Sequence, residues 1–334
     1  MSSPESEAER SPRQLDRRAA RRPALRLATL AAAAWLAIGA LAVADKVDGT
    51  KGDDTLSGTG GDDQISGLDG NDKISGLAGR DELDGGGDDD TIDGGPGDDT
   101  IYGANCKVGE LGYFCDNPGS DVLIGGDGND DLRANKCVTT FCASEPHISL
   151  EDVFDGGPGD DAIAGGDGRD RISGGPGNDT VAGLLNHDRV SAGAGTDVVV
   201  GGGGDDRIFG GAGPDELRGG SGRDRISGGG GSDGLYGGGG HDRISGGGGR
   251  NRIVGQAGRD KLSGGAGNDR MYGGRGNDRI SGRRGFDVLS GGSGQDRITA
   301  RDRRRDRVAC GPGRDTAIVD RIDRLSGCER VRRR

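Results

Sequence analysis

An aspartate recurs every nine residues through most of this 334-residue chain. The series begins at Asp54, Asp63, Asp72, Asp81, Asp90 and Asp99, and resumes at Asp121 and Asp130. It then runs through Asp161, Asp170, Asp179, Asp188, Asp197, Asp206, Asp215, Asp224, Asp233, Asp242, Asp260, Asp269, Asp278, Asp287 and Asp296, broken only by Asn251. A carboxylate is a hard oxygen donor, and carboxylates held side by side repel unless a cation lies between them. Coordination by six to eight oxygens in a flexible geometry suits calcium, whereas magnesium demands a stricter octahedron and holds its water. No Cys/His cluster has zinc spacing. His147, His187 and His241 are the only histidines. The latter two directly precede an aspartate of the series and read as solvent-facing substituents. No Ser/His/Asp or Cys/His arrangement is present, so the sequence reads as a binder rather than an enzyme. The glycine run 201–204 lacks the Lys-Ser/Thr ending of a phosphate loop.

The elements that position these acids follow from what surrounds them. Two residues after each acid stands an apolar residue, from Leu56 and Ile65 through Ile280, Leu289 and Ile298, giving 25 units in all. With 74 glycines and 3% aromatics the composition is near that of a disordered chain. A disordered chain, however, has no reason to hold a phase of nine over some 250 residues. The tripeptide around the apolar residue suits a short strand with one side chain pointing in and two out. The glycine-rich hexapeptide before it reads as a turn. Such units wind into a coil of two repeats, and successive coils stack their apolar residues into a thin ladder with parallel strands about 4.8 Å apart.

The best copies are GGPGDDAIA (156–164), GGDGRDRIS (165–173), GGAGNDRMY (264–272) and GGRGNDRIS (273–281). They resemble the GGxGxDxUx nonapeptides of the repeats-in-toxin (RTX) calcium-binding proteins, whose fold is the parallel β-roll. The match spans residues 49–299 apart from two inserts. The resemblance implies that Ca2+ ions lie between turns on the same edge, one 18-residue coil apart. It also implies that the sixth-position aspartates named above are ligands, and that the roll folds only when calcium is bound. Poor sites are expected where the pattern fails: at Asn251, at the unit in which Asp88 replaces a glycine, in the glycine-poor 183–191, and at the unit ending at Phe154, where Leu150 and Glu151 stand in place of glycine. Residues 49–85 are expected to bind more weakly, having Thr50, Thr59, Leu68 and Leu77 where a second glycine belongs.

Charge divides the chain in the same places. The first 44 residues carry +3 and residues 299–334 carry +6, so with a total of −12 the middle holds −21. A middle that acidic self-repels without counter-ions and disfavours nucleic acid as a partner. The uncharged run 27–44 follows a basic segment and ends in Ala42-Val43-Ala44. It reads as an export signal cleaved after Ala44 or as a retained N-terminal membrane anchor, and in either case the rest is secreted or tethered outside the cell. The resulting organisation is signal or anchor at 1–44, repeats at 45–104, an insert at 105–118, repeats at 119–132, a second insert at 133–151, the main block of repeats at 152–299, and a C-terminal cap with basic tail at 300–334.

The inserts each carry a cysteine pair, Cys106/Cys115 and Cys137/Cys142, and the tail carries Cys310/Cys328. In an exported chain these suggest disulfides, either within each pair or crossing between the inserts. The tail leaves the nine-residue phase, and its short apolar stretches suggest strands closing the end of the coil. Arginines recur just before the apolar residue at Arg171, Arg189, Arg207, Arg225, Arg243, Arg270, Arg279 and Arg297. They read either as solvation of a flat sheet or as a basic stripe for an anionic surface polysaccharide. The expectation is therefore an all-β parallel β-roll, or β-solenoid, with a disulfide-bracketed C-terminal cap, that binds multiple Ca2+. The alternatives are a calcium-rigidified spacer or adhesin of the cell envelope, and a non-catalytic remnant of an RTX enzyme or toxin.

Overall fold

A short strand with one inward side chain buries nothing until neighbours stack on it. In the computed structural model, which describes residues 45–104, 106–109, 112–115, 119–135 and 151–333, that stacking is complete. The described residues form two fifteen-stranded parallel sheets and one two-stranded hairpin. Consecutive units alternate between the sheets. The first sheet runs from Lys46–Asp48 to Arg324–Ser326, and the second from Thr55–Ser57 to Arg330–Arg333. Neighbours in a sheet are 18 residues apart in register, as in Ile172↔Val190↔Ile208 of the second sheet and Val181↔Val199↔Leu217 of the first. The repeated apolar residues meet between the sheets as one continuous buried row. Among the described residues, no helix is long and apolar enough to cross a membrane. The signal or anchor expected at 1–44 lies outside the described residues.

The strands are longer than the tripeptides expected. Arg171–Pro176 is typical: it includes both glycines, and the ladder continues through Gly175↔Gly193. Gly174 is fully enclosed, because a Cβ there would meet the Asp179 carboxylate and the Ala192 carbonyl. Gly175 takes φ 115°, a conformation that L side chains avoid. The turn proper is thus only the Gly-x-Asp that follows. Leu68, Leu77 and Leu184 occupy the Gly175-equivalent position and are driven to φ 85°, 81° and 81°.

Both inserts leave the sheets unbroken. The coil lengthens to 31 residues at each, yet Leu123 pairs with Ile92 and Phe154, and Leu132 with Ile101 and Ile163. The first insert forms the hairpin Cys106–Gly109/Gly112–Cys115, with Cys106 directly opposite Cys115. Cys137 and Cys142 lie outside the described residues. The tail does not leave the coil. Arg307–Ala309, Thr316–Val319, Arg324–Ser326 and Arg330–Arg333 extend both sheets. The phase is lost in the sequence because coils of 19, 17 and 14 residues replace those of 18. Cys310, buried in the core row, is disulfide-bonded to Cys328. The last strand, Arg-Val-Arg-Arg, is exposed throughout, and its charges blunt the open sheet edge.

The arginine stripe is also redrawn. Arg270 pairs with Arg252 on the first sheet, while the other seven lie on the second together with Lys261.

Candidate metal centre

The sixth-position aspartate ends the turn, and the chain reverses there into the next strand. The adjacent enclosed glycine has no side chain, so the carboxylate turns inward instead of outward. From Asp63 to Asp296 every aspartate of the series is buried, at most 4% exposed, and Asp54 is half-buried. They line the inside of each edge.

They form two ladders, one along each edge. In the first, the Asp170 N–H donates to Asp188 Oδ1 (3.0 Å), Asp188 to Asp206 (2.9 Å), Asp206 to Asp224 (2.9 Å) and Asp224 to Asp242 (3.0 Å). The second runs likewise through Asp161, Asp179, Asp197, Asp215 and Asp233. Every aspartate predicted as a ligand belongs to one ladder or the other. The ladders also include residues left out of the expected set: Asp152 between Asp121 and Asp170, and Asp306, Asp315, Asp323 and Glu329 in the tail. Asp152 keeps the spacing to its apolar residue and could have been found that way. The tail acids could not, because their coils change length. A parallel outer row uses the residue before each aspartate: the Thr196 N–H donates to Asn178 Oδ1 (2.8 Å), the Asp205 N–H to His187 Nδ1 (2.7 Å) and the Arg259 N–H to His241 Nδ1 (2.9 Å). His187 and His241 are exposed, and each carries this turn-to-turn contact.

One oxygen of each carboxylate is thereby satisfied. The other is not. Among the described residues, twenty-one of the ladder aspartates have an Oδ2 that is buried without a hydrogen-bond partner. Burying an ionised oxygen without a partner is costly, and a buried acid responds by holding its proton. Burial and the neighbouring carboxylates push Asp90 and Asp170 up to about 8, and Asp130 to about 7. Burial also pushes Asp206, Asp224, Asp242, Asp278 and Asp296 up to about 6, against the pull of the backbone N–H bond to each.

Two turns differ. Thr50 donates its N–H (2.5 Å) and hydroxyl (2.8 Å) to Asp54 Oδ2, and Thr59 does the same for Asp63 (2.5 and 3.1 Å). For Asp63, burial raises the carboxyl, but the bonds from Thr59 and Asp45 together outweigh it and hold it below its ordinary value.

The residues fit a hard cation. Asn251 is the neutral member of the ladder. Its Oδ1 accepts from Asp233 N–H (3.0 Å), and its Nδ2 donates to Gly248 O (3.4 Å). A main-chain carbonyl therefore lies within reach of the side-chain tip at this position, where an anionic oxygen would need positive charge between the two. The carbonyls of Gly177 and Asn178 accept no backbone hydrogen bond among the described residues, although those of Pro176 and Asp179 on either side do. No three His, Cys, Asp or Glu side chains converge among the described residues. A site here would combine one or two carboxylates with turn carbonyls, a donor set of hard oxygens.

The family described as RTX calcium-binding nonapeptide repeat (4 copies) matches residues 48–83, 75–105, 116–136, 151–181, 182–217, 209–244, 245–280 and 272–302. No curated protein sequence matches the chain. Among solved structures it is similar to a hyperactive, Ca2+-dependent, β-helical antifreeze protein from an Antarctic bacterium. That similarity is 18% identity over 85% of this chain and 80% of the other, with a TM-score of 0.29.

Proposed function

The chain belongs to the RTX calcium-binding nonapeptide repeat family, and from that premise we propose that it is an exported protein whose two aspartate ladders bind multiple Ca2+ and assemble the roll as they do so. The observation that carries this is the row of buried, unpartnered Oδ2 atoms. Calcium supplies the positive charge that these oxygens and the adjacent carbonyls lack. Sites are expected at the aspartates whose Oδ2 is buried without a partner, from Asp72 to Asp296 and at Asp315; Asp54, Asp63, Asp121, Asp152 and Asn251 are excluded. Because the cation binds the folded state and not the chain, its binding energy becomes folding energy. Extracellular calcium modules work at about 10⁻⁴–10⁻³ M, so an exported chain would meet enough calcium only outside the cell. Export itself rests on residues 27–44. The reading assigns no catalytic step.

Circular dichroism of residues 45–334 provides the test. Coil in chelator and β-structure in millimolar calcium are expected. An identical spectrum in both, or an equal response to magnesium, would overturn the reading. A second reading, a calcium-stiffened spacer of the cell envelope, is favoured by the uninterrupted pairing of fifteen strands in each sheet, roughly 70 Å of stacked backbone. Retention of the N-terminal segment on the cell would select it.

A further inference from the structure

The two outer faces of the roll have different chemistry. On the second sheet, the residue before each buried apolar one is a cation at eight consecutive rungs, from Arg171 to Arg297 in 18-residue steps, with Lys261 as the one lysine. All eight are exposed and pair directly, cation opposite cation. The next outward residue at these rungs is serine or threonine, except for Phe209, so rows of guanidinium and hydroxyl groups run side by side. At the corresponding eight positions, from Ala162 to Val288, the first sheet carries two cations, Arg252 and Arg270.

Like charges placed directly opposite across strands are destabilising. Two ordinary reasons for keeping them fail. If the arginines balanced the acidic turns, they would be shared between the sheets, since both sheets are flanked by the same aspartates. They would also form ion pairs, yet among the described residues only Arg171 does so, with Glu151 at 3.6 Å. Solvating a flat sheet requires polarity, not one sign of charge on one face.

We propose that this face of the second sheet binds a linear acidic polysaccharide of the uronate type, laid across the strands. Parallel strands repeat every ~4.8 Å, about the length of one sugar ring in an extended chain, so each rung would offer one cation to a carboxylate and one hydroxyl to the sugar edge. Nucleic acid fits less well. Phe209 is the one exposed aromatic in these two rows for base stacking. The proposal extends the proposed function and rests on it, because the ladder exists only when the roll is assembled.

Fluorescence anisotropy of a labelled oligogalacturonate, at trace concentration with the full chain in millimolar calcium, tests it. Binding is expected to weaken with added salt, and to be lost for the methyl-esterified oligomer, which has the same backbone without charge. Replacing Arg189, Arg207, Arg225 and Arg243 together by Ser should weaken binding roughly tenfold or more. Replacing Arg252 and Arg270 on the other sheet by Ser should change it less than about twofold. Removing four exposed like charges does not threaten the fold, and circular dichroism of the same samples reports the calcium response separately. No measurable binding, equal loss in both variants, retained binding of the ester, or tighter binding of single-stranded DNA would each overturn the proposal.

Discussion

The first two turns and the turns of the main block share a backbone plan but resolve the same buried carboxylate differently. At Asp54 and Asp63 a threonine four residues upstream donates both its N–H and its hydroxyl to Oδ2. At Asp170, Asp206 or Asp242 that oxygen has no donor. In those units the threonine position is a strand glycine, Gly166, Gly202 or Gly238, at φ 97°, 109° and 108°. In the first case Oδ2 already has its donors; in the second it is left without one. The weaker calcium sites expected over 49–85 from missing glycines thus acquire a specific physical reason at two positions, Thr50 and Thr59. At Leu68 and Leu77 the reason is different: Asp72 and Asp81 keep an orphan oxygen, and the cost falls on the backbone.

The largest effect should come from neutralising a run of one ladder. Replacing Asp188, Asp206, Asp224 and Asp242 together by Asn should remove calcium sites along that edge, read as a fall in ion number by titration calorimetry. In chelator the same variant should be more structured than the parent, since an uncompensated buried charge costs several kcal/mol. Asp54→Asn with Asp63→Asn should change the ion number by none. An equal fall in both variants would dissolve the contrast between the two regions.

Acidification separates them next. The main-block acids have folded-state values raised above their ordinary value, so the folded state holds the extra proton. Their contribution is fully present below about pH 4 and is lost as pH rises through about 6 for Asp206 and about 8 for Asp170. Asp63 is shifted the other way: its contribution is present above its ordinary value and lost as pH falls. Chelated protein should therefore gain β-structure between pH 8 and pH 5, a proton standing in for the cation. Unchanged circular dichroism across that range would count against buried ionised carboxylates as the obstacle to folding.

At the far end, Cys310→Ser with Cys328→Ser should cost about 3 kcal/mol for a loop of this size. Hydrogen exchange should place the lost protection in residues 307–326 and leave the N-terminal turns untouched. Smaller still, Thr59→Ala should cost about 1 kcal/mol in a urea melt in saturating calcium, with no change in ion number. Leu184→Gly should gain about 1 kcal/mol by relieving a left-handed leucine.

Much of this was legible from spacing alone. A strict phase of nine means that each unit meets an identical neighbour 18 residues on, so the pairing of Ile172 with Val190, and the shared environment of all sixth-position aspartates, could be read without coordinates. The direction in which those aspartates point could not. Glycine pairs read locally as turn, yet Gly174 and Gly175 are strand, because the next coil presents a ladder to pair with and the carboxylate needs the space that a Cβ would fill. The tail hides its coils for a related reason: once the coil length drifts to 19, 17 and 14 residues, periodicity vanishes from the sequence although the stacking persists.

The sequence by itself determined the period, the residue that faces the core and the acid that accompanies it, since these depend only on neighbours along the chain. Only the tertiary structure decided which carboxylate oxygen is left without a partner, that the tail continues the coil, and that seven of the arginines share a face while Arg270 does not. Those properties belong to contacts between coils. Two units nine residues apart look alike in the chain but lie on opposite faces of the roll.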